Sequence, residues 1–213
     1  MFTVNISIRN EIGSSFFDTD IGNLVVGSRV ILETDRGADW GMVVSAPIKK
    51  RKNEKENARI FRLADKKDNE QINLLIKSSV YAKSKLIELV TKLGMDMKIM
   101  SVHYSFDASR VIVYFSAEGR VDYREILRTA PALLHTRIEF KQIGARDEVK
   151  MSGGIGICGQ VCCCKRFLHS YPEVSVKMIK DHGVSMNSDK INGLCGRLKC
   201  CFSYEKKQDD KND

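Results

Sequence analysis

The 213-residue chain is 43% hydrophobic, enough to bury a core in one or two domains, and its 35 Lys and Arg against 27 Asp and Glu leave a formal net charge of +8. That balance attracts anionic partners such as RNA without demanding them. No apolar run reaches the about 18 residues of a membrane span, and no basic segment followed by an apolar one opens the sequence, so the expectation is a cytoplasmic chain with no membrane span and no secretory signal.

Residues 1 to about 48 read as short strands. Residues 4–8 alternate, 28–34 are rich in β-branched side chains, and 41–45 follow a turn at 35–37. Gly13, Gly22, Gly27, Gly37 and Gly41 punctuate them, and this spacing predicts a small β-barrel-like subdomain over residues 1–57. The basic run Lys49-Lys50-Arg51-Lys52, followed by Lys55, carries no interleaved aromatic side chain and reads as a solvated linker.

Residues 58–143 predict a second, α+β domain. A strand over 58–63 precedes a long helix from about Asp65 to Leu93, with Ile72, Leu75, Ile76, Val80, Leu86, Ile87, Val90 and Leu93 at helical spacing and Gly94 as its stop. Residues 97–106 alternate, placing Met100, Val102, Tyr104 and Phe106 on one side, and 111–115 form the hairpin partner. Asp122 with Glu125 has the pattern of a capping box opening a helix to roughly Leu134, in which Pro131 predicts a kink or break. A strand over 136–143 completes a β-α-β-β-α-β order, the ferredoxin-like split arrangement, which hosts many functions and selects none.

Residues 144–205 carry the chemistry, ahead of a polar tail at 206–213. All seven cysteines lie in two copies of one unit, Cys158-Gly-Gln-Val-Cys162-Cys163-Cys164 and Cys195-Gly-Arg-Leu-Lys-Cys200-Cys201, offset by 37 residues. Gly156-Ile157 and Gly193-Leu194 precede the two copies, so the repeated pattern is G-[IL]-C-G-x-x-x-C-C. Between these claws, Ser170-Tyr-Pro172 fits a helix start and Gly183 a helix stop, predicting a short helix over 173–182. The claws themselves read as loop-to-helix transitions, in which Gly159 and Gly196 let the backbone approach a bound group and the following helix presents its N–H groups to an anionic cluster.

In a reducing compartment, clustered cysteines are metal ligands or catalytic groups before they are disulfides, and an odd number points the same way. A four-thiolate set suits zinc and an iron-sulfur cluster alike, and the spacing C-x₄-C occurs in both. The surplus sulfur of each vicinal pair favours an iron-sulfur cluster over zinc. The ligand choice is Cys158 and Cys195 with one of Cys163/Cys164 and one of Cys200/Cys201. Cys162 has Lys199 as its counterpart and reads as a bystander. A zinc-stapled nucleic-acid-binding module and a thiol redox protein are the alternative functions.

Other signals carry less. Gly154-Ile-Gly156-Ile-Cys-Gly159 matches a dinucleotide fingerprint, but residues 145–150 are too charged for the buried strand it requires. His103, His135, His169 and His182 are scattered, with His169 the weak alternative metal ligand.

The segments Met151-Ser-Gly-Gly-Ile-Gly-Ile-Cys-Gly159, Val174-Ser-Val-Lys-Met178 and Ile191-Asn-Gly-Leu-Cys-Gly-Arg-Leu-Lys-Cys-Cys201 resemble the RicT/YaaT family, bacterial proteins with a polymerase-suppressor C-terminal domain. Ala117-Glu-Gly-Arg-Val-Asp-Tyr-Arg124, Gln142-Ile-Gly-Ala-Arg-Asp147 and Glu33-Thr-Asp-Arg-Gly37 extend the resemblance over most of the chain. It implies a non-enzymatic regulatory subunit joined to two small helical RicA/RicF-like partners in a [4Fe-4S] complex that steers an RNase Y-type endoribonuclease in RNA processing and turnover. The cysteines it carries over are Cys158, Cys163, Cys164, Cys195, Cys200 and Cys201. Gln160 stands where the family has an Arg, and Cys162 where it has an apolar residue, which removes a charged contact that Arg197 still supplies in the second claw.

Overall fold

Val4 and Ile6 project to one face of strand β1 (Phe2–Ile8) and nucleate the first core, as period-2 alternation requires. The computed structural model describes residues 1–8, 14–34, 37–50, 57–119, 121–168, 171 and 173–205, divided into two compact units, Met1–Ile143 and Gly144–Asp213. The turn expected at Gly13, most of that at 35–37, the basic residues 51–55 and the tail lie outside the described residues, as do His169 and the ends of the Ser170-Tyr-Pro172 start signal.

In the first unit, β1 pairs with β2 (Ser15–Thr19), β4 (Gly37–Val43) and the two-residue β5 (Ile48–Lys49), and β4 pairs with β3 (Arg29–Thr34), all antiparallel. The next strand, β6 (Ile60–Leu63), pairs with β3 to give the order β2-β1-β4-β3-β6. A bridge between Asp18 and Arg59, with Asp18 N–H donating to the Ala58 carbonyl at 2.9 Å, brings the two ends of the path together, so the sheet curls as a half-barrel. Val30 and Leu32 of β3 enter its interior with Val4, Ile6, Phe17 and Val43, while Ile31 points outward to Trp40.

Trp40 and Ile31 are covered by Ile72 of helix α1 (Lys66–Lys92). The other end of the helix packs Ala82, Leu86 and Val90 on a second, three-stranded sheet of β7 (Lys98–Tyr104), β8 (Arg110–Ser116) and β9 (Arg137–Gln142). β7 and β8 are antiparallel, and β8 and β9 are parallel across helix α2 (Arg124–Leu134).

This corrects the ferredoxin-like expectation: the six elements occur in the expected order, but β6 belongs to the first sheet. The open edge of β3 takes it, and Arg62 of β6 grips Asp68 in the first turn of α1, Nη2 to Oδ1 at 2.9 Å. Asp65 caps that turn, exchanging side-chain-to-backbone bonds of 2.8 Å with Asp68 in a capping box. The box expected at Asp122 and Glu125 does not form. Tyr123 is the N-cap, and Asp122 accepts instead from the Arg124 N–H at 3.1 Å. Pro131 neither breaks nor ends α2, which runs on to Leu134 and stops where His135 turns left-handed at φ 51°.

A register shift between Ile99 and Ser101 replaces the alternation expected in β7, so Ile99 and Val102 are the buried pair. Ile76, Val80 and Ile87, placed inward by helical spacing, are exposed, because they lie on the flank of the single stripe of Ile72, Leu75, Ala82, Leu86 and Val90 that α1 turns toward both sheets. Among the described residues, no helix is long and apolar enough to cross a membrane.

Candidate metal centre

Each claw opens with the same backbone figure. In the first, Ile155 bridges Val161, the Gly156 N–H donates to the Gln160 carbonyl at 2.8 Å, and the Gly159 N–H to the Gly156 carbonyl at 2.9 Å. In the second, Asn192 bridges Leu198, Gly193 donates to Arg197 at 2.8 Å and Gly196 to Gly193 at 2.9 Å. Gly159 and Gly196 reverse the chain at φ 75° and 72°, a conformation that a side chain would strain. The vicinal cysteines follow at the start of a helical turn, α4 (Cys163–Arg166) in the first claw and a 3-10 turn (Cys200–Ser203) in the second. Both turns are four residues long, so the expected helix-dipole contribution to anion binding is absent in substance.

Helix α3 (Ala145–Ser152) leads into the first claw; the charged residues that argued against a strand are helical. Between the claws, α5 (Val176–Asp181) sits within the expected span, but Ser175 is its N-cap, accepting from the Met178 N–H at 3.3 Å. A short α6 (Ser188–Ile191), capped by Asn187, precedes the second claw.

The two claws meet. Phe167 and Tyr204, separated by the same offset of 37 residues, pack edge to face with ring centroids 5.5 Å apart. A residue touching its own counterpart is the mark of a local two-fold relation, as at an isologous interface. Leu194 of the second claw fills the space beside Gly154 of the first, where an added Cβ would lie 2.4 Å from its Cδ2. The relation is not perfect, since the Tyr204 hydroxyl donates to Cys163 Sγ at 2.8 Å and Phe167 has no hydroxyl to return the contact.

All seven cysteines line one cavity of about 350 Å³, with Arg146, His182, Leu198 and Phe202 in its wall. Cys158 is exposed, Cys164 is buried, and Cys163, Cys195, Cys200 and Cys201 are intermediate, so the six residues singled out by the motif are together. Cys162, read as a bystander, lines the same cavity. Among the described residues, no three Cys, His, Asp or Glu side chains are already gathered closely enough to hold a metal ion.

Burial pushes the thiols of Cys162, Cys164, Cys200 and Cys201 above the usual cysteine range, and neighbouring thiols add to it; Arg146 partly opposes this at Cys200. Burial and the bond to Cys163 likewise raise the Tyr204 phenol. Burial and a 2.5 Å bond to Asp147 raise that of Tyr171, whose ring lies under the Arg146 guanidinium at 5.2 Å.

Sequence reasoning missed Arg146, Tyr204 and His182. Arg146 lay in a stretch read as charged, Tyr204 follows the second claw and received no reading of its own, and His182 was grouped with the scattered histidines. In the structure the His182 ring packs on Phe202, 5.3 Å between centroids, with Nε2 3.3 Å from the Phe202 carbonyl oxygen.

A profile of the PSP1 C-terminal conserved region matches residues 58–143, and one of the third domain of PSP1-like proteins matches 173–211. Over 194 residues, 89% of this chain and 70% of the relative, the sequence is 41% identical to the Stage 0 sporulation protein YaaT of Bacillus subtilis (strain 168). No solved structure matches the chain. With sequence identity at this level over most of both proteins, the chain belongs to the YaaT/RicT family of PSP1 C-terminal-region proteins.

Proposed function

We propose that the chain is a non-enzymatic regulatory subunit that holds a [4Fe-4S] cluster between its paired claws. In this reading it joins two small helical partners of the RicA/RicF kind in the cytoplasm and steers an RNase Y-type endoribonuclease in RNA processing and turnover. The observation that carries the metal assignment is the composition of the second unit. Seven cysteines share one cavity there, while Cys164, Ile179 and Phe202 are the unit's buried hydrophobic side chains among the described residues. A unit with so little apolar burial is marginal alone and gains stability from a metal or cluster.

The donors fit such a group chemically, since soft thiolates select iron-sulfur clusters and zinc. Cys158 and Cys195, one of Cys163/Cys164 and one of Cys200/Cys201 would hold it, with Gly159 and Gly196 turning the backbone out of the way. When bound, the cluster supplies a cross-link between the claws and a charge that responds to reduction. The raised thiol pKa values of Cys162, Cys164, Cys200 and Cys201 speak against these four as attacking thiolates. The regulatory role rests on family membership, and the sporulation in the relative's name places that protein in a regulated developmental process. The net charge of +8 favours contact with RNA or an acidic partner.

Anaerobic purification followed by iron, sulfide and zinc analysis and spin resonance tests the assignment. The expected result is a brown protein whose colour is lost in Cys158→Ser and Cys195→Ser and kept in Cys162→Ser. A folded protein that stays iron-free alone and with its partners overturns it. Zinc at about one per chain together with salt-dependent RNA affinity would establish the zinc-stapled nucleic-acid module instead.

A further inference from the structure

Among the described residues, Arg146 is the one charged side chain buried in the wall of the cysteine cavity: it is 9% exposed, and its Nε is enclosed without a hydrogen-bond partner. Its Nη2 donates to the Leu198 carbonyl of the second claw at 3.2 Å, and its guanidinium lies over the Tyr171 ring. The neighbouring carboxylate, Asp147, is engaged by the Tyr171 hydroxyl, and among the described residues no carboxylate forms an ion pair with Arg146. A buried cation without a counter-ion is costly, and a buried donor without an acceptor adds to the cost. Both are answered by a negative charge inside the cavity.

We infer that Arg146 is a positioning residue that balances the charge of an anionic, thiolate-ligated group in this cavity. The inference rests on the metal-centre reading above and gives that site its charge. Arg146 reaches across from α3 to the backbone of the second claw, so it also orients the sulfurs of Cys200 and Cys201 relative to the first claw. Because a thiolate-bound cluster becomes more negative when an electrode adds an electron, with no bond made or broken, a fixed cation beside it favours the reduced state and raises the potential.

The test compares wild-type full-length protein with Arg146→Gln and Arg146→Lys, and uses Tyr171→Phe as a packing control. Gln retains a donor for the Leu198 carbonyl but removes the charge; Lys retains the charge. The expected result is a more negative midpoint potential in Arg146→Gln and loss of iron to a chelator about 10-fold faster than wild type. Arg146→Lys should recover most of both, and Tyr171→Phe should keep the wild-type potential. An Arg146→Gln variant with the wild-type potential and iron retention overturns the inference alone, as does an Arg146→Lys variant no better than Gln. A colourless wild type overturns the cluster reading and this one with it. If Arg146→Gln holds no cluster, an apo-protein circular dichroism spectrum matching that of wild-type apo-protein counts for the inference; if it unfolds, the potential of Arg146→Lys decides.

Discussion

Asp18 is buried to within 1% of complete enclosure and accepts from Lys50 Nζ, Thr3 Oγ1, and the N–H and Nδ2 of Asn57. Burial alone would raise its carboxyl pKa; the Lys50 ammonium and the other donors overcome that and hold it far below the usual carboxylate range. Its contribution is therefore complete above the unfolded value of about 3.9 and is lost as pH falls from there toward the folded value. Asp18→Asn leaves the Lys50 charge, itself 8% exposed, without a partner and should destabilise the first unit by about 3–5 kcal/mol near neutral pH, with a flattened acid limb in urea titrations. Nothing in the sequence distinguishes this aspartate from its neighbours. That the cysteines belong together was legible from one unit repeated at a fixed offset, and the structure gathers them around one cavity. Arg146 and Tyr204 were not legible, because their contacts, to the Leu198 carbonyl and to Cys163 Sγ, are with residues far away in the sequence.

At the scale of elements, α1 holds the first unit together. Its amino-terminal half seals Ile31 and Trp40 of the curled sheet, and its carboxy-terminal half seals Val111, Val113 and Phe115 of the three-stranded one. Arg29 of β3 adds bonds to Asn69 and Asn73 at 3.3 and 2.9 Å, and Gln71 Nε2 donates to the Phe106 carbonyl at 2.6 Å. Ile72→Ala, at a fully buried position, should cost about 2–5 kcal/mol, and both sheets should unfold in one denaturant transition because they share the helix. Separate transitions for the two sheets would refute the shared-helix account. Helical period and Gly94 made α1 readable from the sequence to within a residue or two, whereas the partner of β6 was not readable at all. A four-residue strand carries no information on which edge it will join, and that choice was made by the open side of β3 and by Arg62. The short β2 and β5 went unrecognised for a related reason: β2 has a single buried aromatic, Phe17, and β5 has two residues.

For the whole molecule, the two units draw on different sources of stability. Among the described residues, the first has three apolar clusters, all formed by its own side chains; the second has a cavity ringed by sulfur. With the proposed cluster bound in the second unit, calorimetry should resolve a transition that moves with the metal and one that does not. Removing iron from anaerobically purified protein with a chelator should lower the melting temperature of the second unit and leave that of the first within error. A single transition unaffected by chelation would refute this division.

Trp40 is the chain's one tryptophan, enclosed between the curled sheet and α1 and faced by the Arg29 guanidinium at 5.9 Å from its ring. Its ultraviolet emission therefore reports on the first unit alone, while under the proposed cluster assignment sulfur-to-metal charge-transfer bands in the visible would report on the second. The natural tryptophan thus supplies an optical channel for the first unit, and the proposed cluster would add a separate one for the second, without a label being engineered into either.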